Sequence, residues 1–478
     1  MNIFEKLTCY GIKKFYNRDS VGDLIKRINF EGATKSKRYS SFNPVNSINM
    51  NESLASSLDI LIKRSLDLYF NNEYAKKAVE SLVIHIVGDG TNVNFREKEN
   101  KNISKEVIEV NKRWEDYKEH CDFEDGLSFV EIQKIFIREI ILFGWSLAQK
   151  KYVNTKNSGQ LKKIHKLRPE TLDYSYVDKA KNIFNGIETS KSGKPLALYL
   201  VKDSDAFSTE RERISIDDFI YAFNRELTGQ SIGLPWLSVV MLAIKNFSDY
   251  EDAQLEKQKV ASCFTGFIKQ TYDSSVKLGE EEKERETPIL KHGMMTRLYP
   301  GEEITFPNQP TSDLYNEYTK RKLKSIGAGI GIPYATIAND FSDYNYSTMR
   351  GAWREYQMSL DSWRTSILIR QVCKPITNCF LESLKVQGYN VDSMEANFTK
   401  SKQDVTDFSK DVPAYVEAVR GGILSWSELQ RSLGRNPEAV LQEITEDFKN
   451  FDKFGVVLDS DPRKNMGKGM EVKNNENA

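Results

Sequence analysis

Gly327-Ala-Gly-Ile-Gly-Ile-Pro333, followed shortly by Asp340-Phe-Ser-Asp-Tyr-Asn-Tyr-Ser-Thr-Met-Arg350, is the stretch on which the architecture turns. Glycines at 327, 329 and 331 can take backbone angles closed to other residues, and Pro333 stops a preceding helix from running on. Asn345 or Ser347 can cap a new helix by accepting a hydrogen bond from its first free amides. The expected layout is a helix, a break hinged at Gly327, Gly329, Gly331 and Pro333, an exposed polar-aromatic loop and a long helix. The loop holds no catalytic constellation, so it reads as a moving mechanical element rather than a reaction site.

On either side of the loop the pattern is helical. Ser312 to about Ile326 reads as a helix carrying Lys320-Arg-Lys-Leu-Lys324. From Ser347, Met349, Trp353, Tyr356, Leu360, Trp363 and Ile367 recur at spacings of four and three, a one-sided apolar stripe of near-heptad period that ends or kinks near Pro375. Arg350, Arg354 and Arg364 on this helix join Lys320, Arg321 and Lys324 as basic candidates. On one chain they are an ordinary solvated face; repeated around a ring they become a charged collar.

Upstream, a helix is expected to start at Pro235, with Leu237, Val240, Met241, Ile244 and Phe247 on one face. Ser248 to Lys259 stays helix-forming but is polar on most sides, as in a helix that leaves its domain. Residues 235–262 would reach about 40 Å at 1.5 Å per residue. Residues 263–310 read as β and loop with a charged tip at 279–286, so the outgoing helix, β module and incoming helix form a stalk with a cap. Before the stalk lies an α+β region. Its helices are expected at Glu52–Ile86, Ser104–Cys121 and Ser128–Phe143, and its strands at Trp145–Tyr152, Lys163–Leu167, Ile183–Ile187, Leu196–Val201 and Phe219–Phe223. Residues 1–50 read as a flexible arm and 463–478 as a disordered tail. Between 391 and 462 the chain is expected to be helical, with Ser425-Trp-Ser-Glu428 opening a helix that stops at Gly434 and Pro437 starting another.

Composition narrows the function classes. At 478 residues the chain can hold two to four compact units. Lys+Arg and Asp+Glu both count 68, a neutral balance that argues against tight static nucleic-acid binding. No apolar run approaches the roughly 18 residues that span a bilayer, so no membrane partner is expected. Five scattered cysteines (Cys9, Cys121, Cys263, Cys373, Cys379) form no C-x-x-C pair and read as reduced, buried thiols. Ser192-Gly-Lys-Pro195 lacks the upstream glycine of a P-loop, and Gly327-Ala-Gly-Ile-Gly331 has the wrong spacing for a dinucleotide fingerprint. The four histidines lie far apart. No cofactor, metal or enzymatic activity is expected, which disfavours a nuclease or a packaging ATPase.

An ordered series of short motifs resembles the lambda-type portal proteins of tailed bacteriophages over roughly residues 52–455. It comprises Asn71-Asn-Glu-Tyr-Ala75 with Val87-Gly-Asp-Gly90, Asn185-Gly-Ile-Glu188 with Gly193-Lys-Pro-Leu-Ala197, and Gly229-Gln-Ser-Ile-Gly-Leu-Pro235. Leu298-Tyr-Pro-Gly-Glu302 and the 329–350 stretch complete it. Ile232 departs from the family's usual arginine. The resemblance implies an α+β portal fold: wing at 51–234, outgoing stem helix 235–262, clip 263–310 and incoming stem helix 311–328. A tunnel loop at 329–346, a long helix at 347–390 and a helical crown at 391–462 follow. It implies that Asp340, Phe341, Ser342, Asp343, Tyr344, Asn345, Tyr346, Ser347 and Arg350 belong to the DNA channel, with Lys320, Arg321, Lys324 and Arg354 as basic channel candidates. Gly229, Gln230, Gly233 and Pro235 lead into the stem. The implied partners are further copies of the chain in a dodecameric ring, sequence-independent double-stranded DNA, the terminase large subunit, head-completion or adaptor proteins, and major capsid and scaffold proteins. The implied setting is the capsid vertex of a phage or prophage virion, assembled in the bacterial host cytoplasm.

Overall fold

The computed structural model of the chain describes residues 50–98, 104–155, 159–201, 210–263, 267–270, 302–305, 313–401 and 408–456. The expected N-terminal arm, the charged tip at 279–286 and the expected C-terminal tail lie outside the described residues. The chain divides into two units, Met1–Ser53 and Leu54–Ala478. Of the first, only residues 50–53, the opening turn of a helix, are described.

That helix, α1 (Met50–Asn71), stops where Asn72 takes an extended backbone and accepts a hydrogen bond from Ala75 N at 2.9 Å, capping α2 (Glu73–Val87). The single helix expected over 52–86 is therefore two, because asparagine serves as an N-cap at least as readily as it continues a helix. Strand β1 (Asn92–Glu97) and helices α3 (Lys105–Glu119) and α4 (Phe129–Phe143) follow. Ser104 and Ser128 cap α3 and α4, the latter through a reciprocal pair with Glu131. Helix α4 buries Ile132, Phe136, Ile137, Ile140 and Ile141 and turns Glu131, Lys134 and Arg138 toward solvent, the pattern of an amphipathic helix.

The strands run β2 (Trp145–Thr155), β3 (Gly159–Leu167), β4 (Ile183–Phe184), β5 (Ile187–Thr189), β6 (Pro195–Val201), β7 (Arg211–Ser215) and β8 (Phe219–Phe223). They form an antiparallel sheet in the order β3-β2-β8 and an antiparallel meander β4-β5-β6-β7. The strand expected across 183–187 is a hairpin instead. Asn185 and Gly186 both have positive φ (54° and 72°), the backbone of a two-residue turn that matches strand twist.

After a 3-10 turn at Trp236–Val239, capped by Pro235, the helix expected from 235 begins as α5 (Met241–Cys263). Full burial on α5 ends at Phe247; beyond it Asp249, Asp252, Glu256, Lys257 and Lys259 are exposed, and Glu251 is half-buried against Tyr74. Strands β9 (Phe267–Gln270) and β10 (Glu302–Thr305) pair antiparallel. The chain returns through α6 (Asp313–Ile330), the short α7 (Tyr334–Ala338) and α8 (Tyr346–Trp363). A π-helical stretch, Arg364–Cys373, then runs into α9 (Lys374–Val386), which carries Pro375 harmlessly in its first turn. Strand β11 (Met394–Thr399) and helices α10 (Phe408–Arg420), α11 (Trp426–Ser432) and α12 (Pro437–Phe454) complete the described chain. The region expected to be all helical thus opens with a strand, which pairs with β1 about 300 residues earlier, Asn92 facing Thr399. Ser425 and Asn436 cap α11 and α12.

One aromatic cluster ties β1, α3, α4 and α9 together. Phe95 of β1, Trp114 of α3 and Phe380 of α9 meet edge-on or tilted with ring centroids 5.3–5.6 Å apart, and Phe129 of α4 stands 5.2 Å from Trp114. Where the end of α4 meets the segment that leads to α5, two glycines bring main chain against main chain. Gly144 (φ 97°) closes α4, and a Cβ there would lie 2.5 Å from Gly233 O. A Cβ on Gly233 would lie 2.1 Å from Gly144 O. Gly233→Ala is expected to destabilise the fold by about 1–3 kcal/mol or more, because main chain must move to admit the methyl. Gly229→Ala, with open space around it but φ 85°, should cost about 1–2 kcal/mol. Urea denaturation of both variants ranks them; equal midpoints would refute the steric account.

Candidate nucleic-acid interface

Two glycines expected to hinge the loop do a different job. Gly327 and Gly329 are helical residues of α6, at places where the backbone of one segment approaches another. A Cβ on Gly329 would lie 2.4 Å from a Val240 methyl, and one on Gly327 would lie 2.6 Å from Ile332 O. Only Gly331 (φ 80°) uses glycine's conformational freedom; it ends α6 while Gly331 N and Ile332 N both donate to Gly327 O, at 2.8 and 2.9 Å. Pro333 does not stop α6 but precedes α7 as its cap. The break starts at 331, and α7, with Ala335 and Ile337 buried, interrupts the expected loop.

The loop proper is organised by two local devices. The Asp340 carboxylate accepts from Ser342 N (3.0 Å), Ser342 Oγ (2.6 Å) and Tyr334 OH (2.8 Å). These donors, the Ser342 hydroxyl foremost, lower its pKa to about 2. Asn345 and Thr348 then form a reciprocal cap: Asn345 Oδ1 accepts from Thr348 N at 2.8 Å and Thr348 Oγ1 accepts from Asn345 N at 3.0 Å. Asn345 is therefore the cap of α8, and Ser347 lies inside the helix. Phe341, Ser342, Tyr346, Ser347 and Arg350 are exposed, whereas Tyr344 is half-buried.

The basic candidates are not one collar. Asp343 of the loop pairs with Lys320 and lies 4.0 Å from Lys324 Nζ, so two of them are matched from within the loop. Arg350 reaches Asp411 of α10 at 3.4 Å, and Lys410 sits over the Tyr346 ring at 4.6 Å. Arg321 and Arg354 are exposed and form no ion pair among the described residues.

Arg364, expected on a solvated face, is buried. Its Nε donates to Ile86 O at 2.9 Å, its second terminal nitrogen donates to His85 O, and its other amine meets Asp361 at 3.3 Å. The guanidinium thereby satisfies the last carbonyls of α2, at the negative end of that helix. Lys400 completes the chain by pairing with Asp361 at 2.6 Å.

Between α2, α7 and α8 lies a cavity of about 390 Å³ bounded by Ile84, His85, Phe341, Tyr344, Met349 and Trp353. His85 Nδ1 lies 3.1 Å from Tyr356 OH and its ring stands edge-on to Trp353 at 5.4 Å. Burial, with the charges of Arg364 and Lys77, holds its pKa down. Nothing local in the sequence marks His85; its apolar-face position on α2 was the one available sign.

The segment leading to α5 is a structural corner. Gln230 is buried, its Oε1 accepting from Glu226 N (2.9 Å) and Leu227 N (3.2 Å), and Ile232 is fully buried. An apolar residue suits that place, where the family's arginine would need a partner.

Arg364→Lys keeps the charge but loses the fork, and should cost about 1–3 kcal/mol for each buried carbonyl left unpaired. Arg354→Ala should change stability by less than about 0.5 kcal/mol, so chemical denaturation of the pair separates cap from surface charge. The Asp340 pKa is depressed on folding, so its stabilising effect holds above the unfolded aspartate value and fades as pH falls toward about 2. Carboxyl NMR of Asp340 should titrate near that value; an ordinary aspartate midpoint would refute the turn.

The model of the family described as phage portal protein, lambda family, matches residues 35–364, more than half of the 478. The probable portal protein of Halomonas phage phiHAP-1 is 22% identical over 426 residues, covering 83% of this chain and 82% of that protein. Portal protein B of Escherichia phage lambda is 22% identical over 385 residues, 70% of each. Among solved structures, a chain from the neck of an empty GTA particle, computed with C6 symmetry, aligns over 83% of this chain and 96% of its own, with 16% identity and a TM-score of 0.47. With its helix–loop–helix element and the ordered motifs around it inside the matched span, the chain belongs to the lambda family of phage portal proteins, a family of DNA-packaging conduits.

Proposed function

We propose that copies of this chain close around an axial channel, as a dodecameric ring at one capsid vertex, and that genomic DNA enters and leaves through it. The observation that carries this reading is the exposed loop between α6 and α8. It presents Phe341, Ser342, Tyr346 and Ser347, groups able to meet a duplex backbone through hydroxyl and ring contacts that carry no sequence code. Family membership supports the conduit, and the neutral charge balance suits a passage that must not grip its cargo: duplex DNA carries about one charge per 1.7 Å of axis.

In this reading the β9–β10 module at the end of α5 and α6 is the clip. It meets the terminase large subunit during packaging and head-completion or adaptor proteins afterwards, while capsid and scaffold proteins contact the wing. The chain is non-catalytic, and ATP turnover belongs to the terminase. Its place is the virion, after assembly in the bacterial cytoplasm. Negative-stain images of the purified full-length chain should show rings with a central lumen; solid particles or a persistent monomer would overturn the proposal. Deleting residues 341–346 should leave rings intact and reduce the DNA packaged per particle, and undiminished packaging would remove the loop's role.

A further inference from the structure

We infer that Lys320 and Lys324 form a phosphate-binding pair, and that Asp343 occupies it as an internal stand-in for a DNA phosphodiester until duplex DNA displaces it. The inference rests on the conduit reading and specifies how the channel handles charge.

Lys320 and Lys324 are one turn apart on α6, and both approach the same carboxylate oxygen, Asp343 Oδ2. Two like charges at that spacing repel and are relieved by an anion set between them. A carboxylate oxygen straddled by two ammonium groups presents the charge and acceptor geometry that a phosphate oxygen would bring. Asp340 adds negative charge near Lys320, while Arg321 stands exposed beside the pair without an ion pair among the described residues.

The loop does not need Asp343 for its shape. The Asp340 turn and the Asn345–Thr348 cap fold it from either side, using none of Asp343's atoms. Asp343 is exposed and Lys320 half-exposed, so solvent and salt reach the pairing and weaken it. A dense linear array of phosphates can therefore compete for the lysines, and Asp343 recaptures them once the phosphate moves on. Such exchange provides a transient contact with passing DNA in place of a permanent positive surface.

The test measures binding of short duplex DNA to purified full-length rings across a salt series, with imaging of every variant to verify assembly. Asp343→Asn should bind more tightly and show a log–log salt slope steeper by about one to two for each protomer engaged, one for each lysine freed. Asp343→Glu should restore wild-type behaviour. Lys320→Ala/Lys324→Ala should weaken binding and flatten the salt slope, and should abolish the gain when combined with Asp343→Asn. A D343N slope equal to wild type, or a gain that survives loss of both lysines, would overturn the inference while leaving the conduit standing. Chains that form no lumen would instead remove the conduit reading, and this inference with it.

Discussion

The buried guanidinium of Arg364 is the constraint on which the rest of this structure depends. Helix α2 ends in the interior, and the carbonyls of its last turn lack helical donors there. Arg364 donates to two of them, from Ile86 and His85, and so pins the far end of α8 to the end of α2. Without that donor the carbonyls would be desolvated and unpaired, and the charge itself would have no reason to be inside. The position of α8, and through Asn345 the end of the loop, is tied to this one cap. Asp361 and Lys400 extend the polar chain from the helix end to the region beyond β11.

A division of labour along α8 follows. Its apolar stripe is buried where it approaches the cap, at Tyr356 and Leu360, and continues buried into the π-helical stretch at Ile367, but is exposed toward the loop, at Met349 and Trp353. One half of the stripe is core and the other half borders the cavity beside His85. The charges behave in parallel. Those near the loop are paired at the surface, whereas Arg364 is held in the interior by three acceptors, Ile86 O, His85 O and Asp361 Oδ1. Strong fixation at one end and loose pairing at the other leave the loop end of the element the easier to perturb.

The features legible in the sequence were those decided within a few residues. Ser104, Ser128 and Ser425 announced helix starts, and the stripe from Met349 to Ile367 announced α8, because capping and amphipathic spacing are local. The fading apolar face of α5 was equally readable. Glycine was misread because its two uses look identical in a sequence: Gly331 bends the chain, while Gly327 and Gly329 stay helical and admit a neighbouring segment. The pairing of β1 with β11 spans most of the chain and left only two weak six-residue runs. Arg364 sits beside Trp363 on a helix rich in exposed arginines, and only the placement of the α2 terminus distinguishes it. The partition of Lys320, Lys324 and Arg350 among acidic partners on the loop and α10 likewise required the folded chain.

The corner where Gly144 and Gly233 touch also restricts how this protein can drift in sequence. Elsewhere in the core a larger neighbour can be matched by a smaller one, so volume is traded between positions over successive mutations. Here each residue faces the other's carbonyl, and main chain has nothing to trim. No second substitution nearby restores the fit, and each position must keep its residue for as long as these two stretches of main chain meet at this angle.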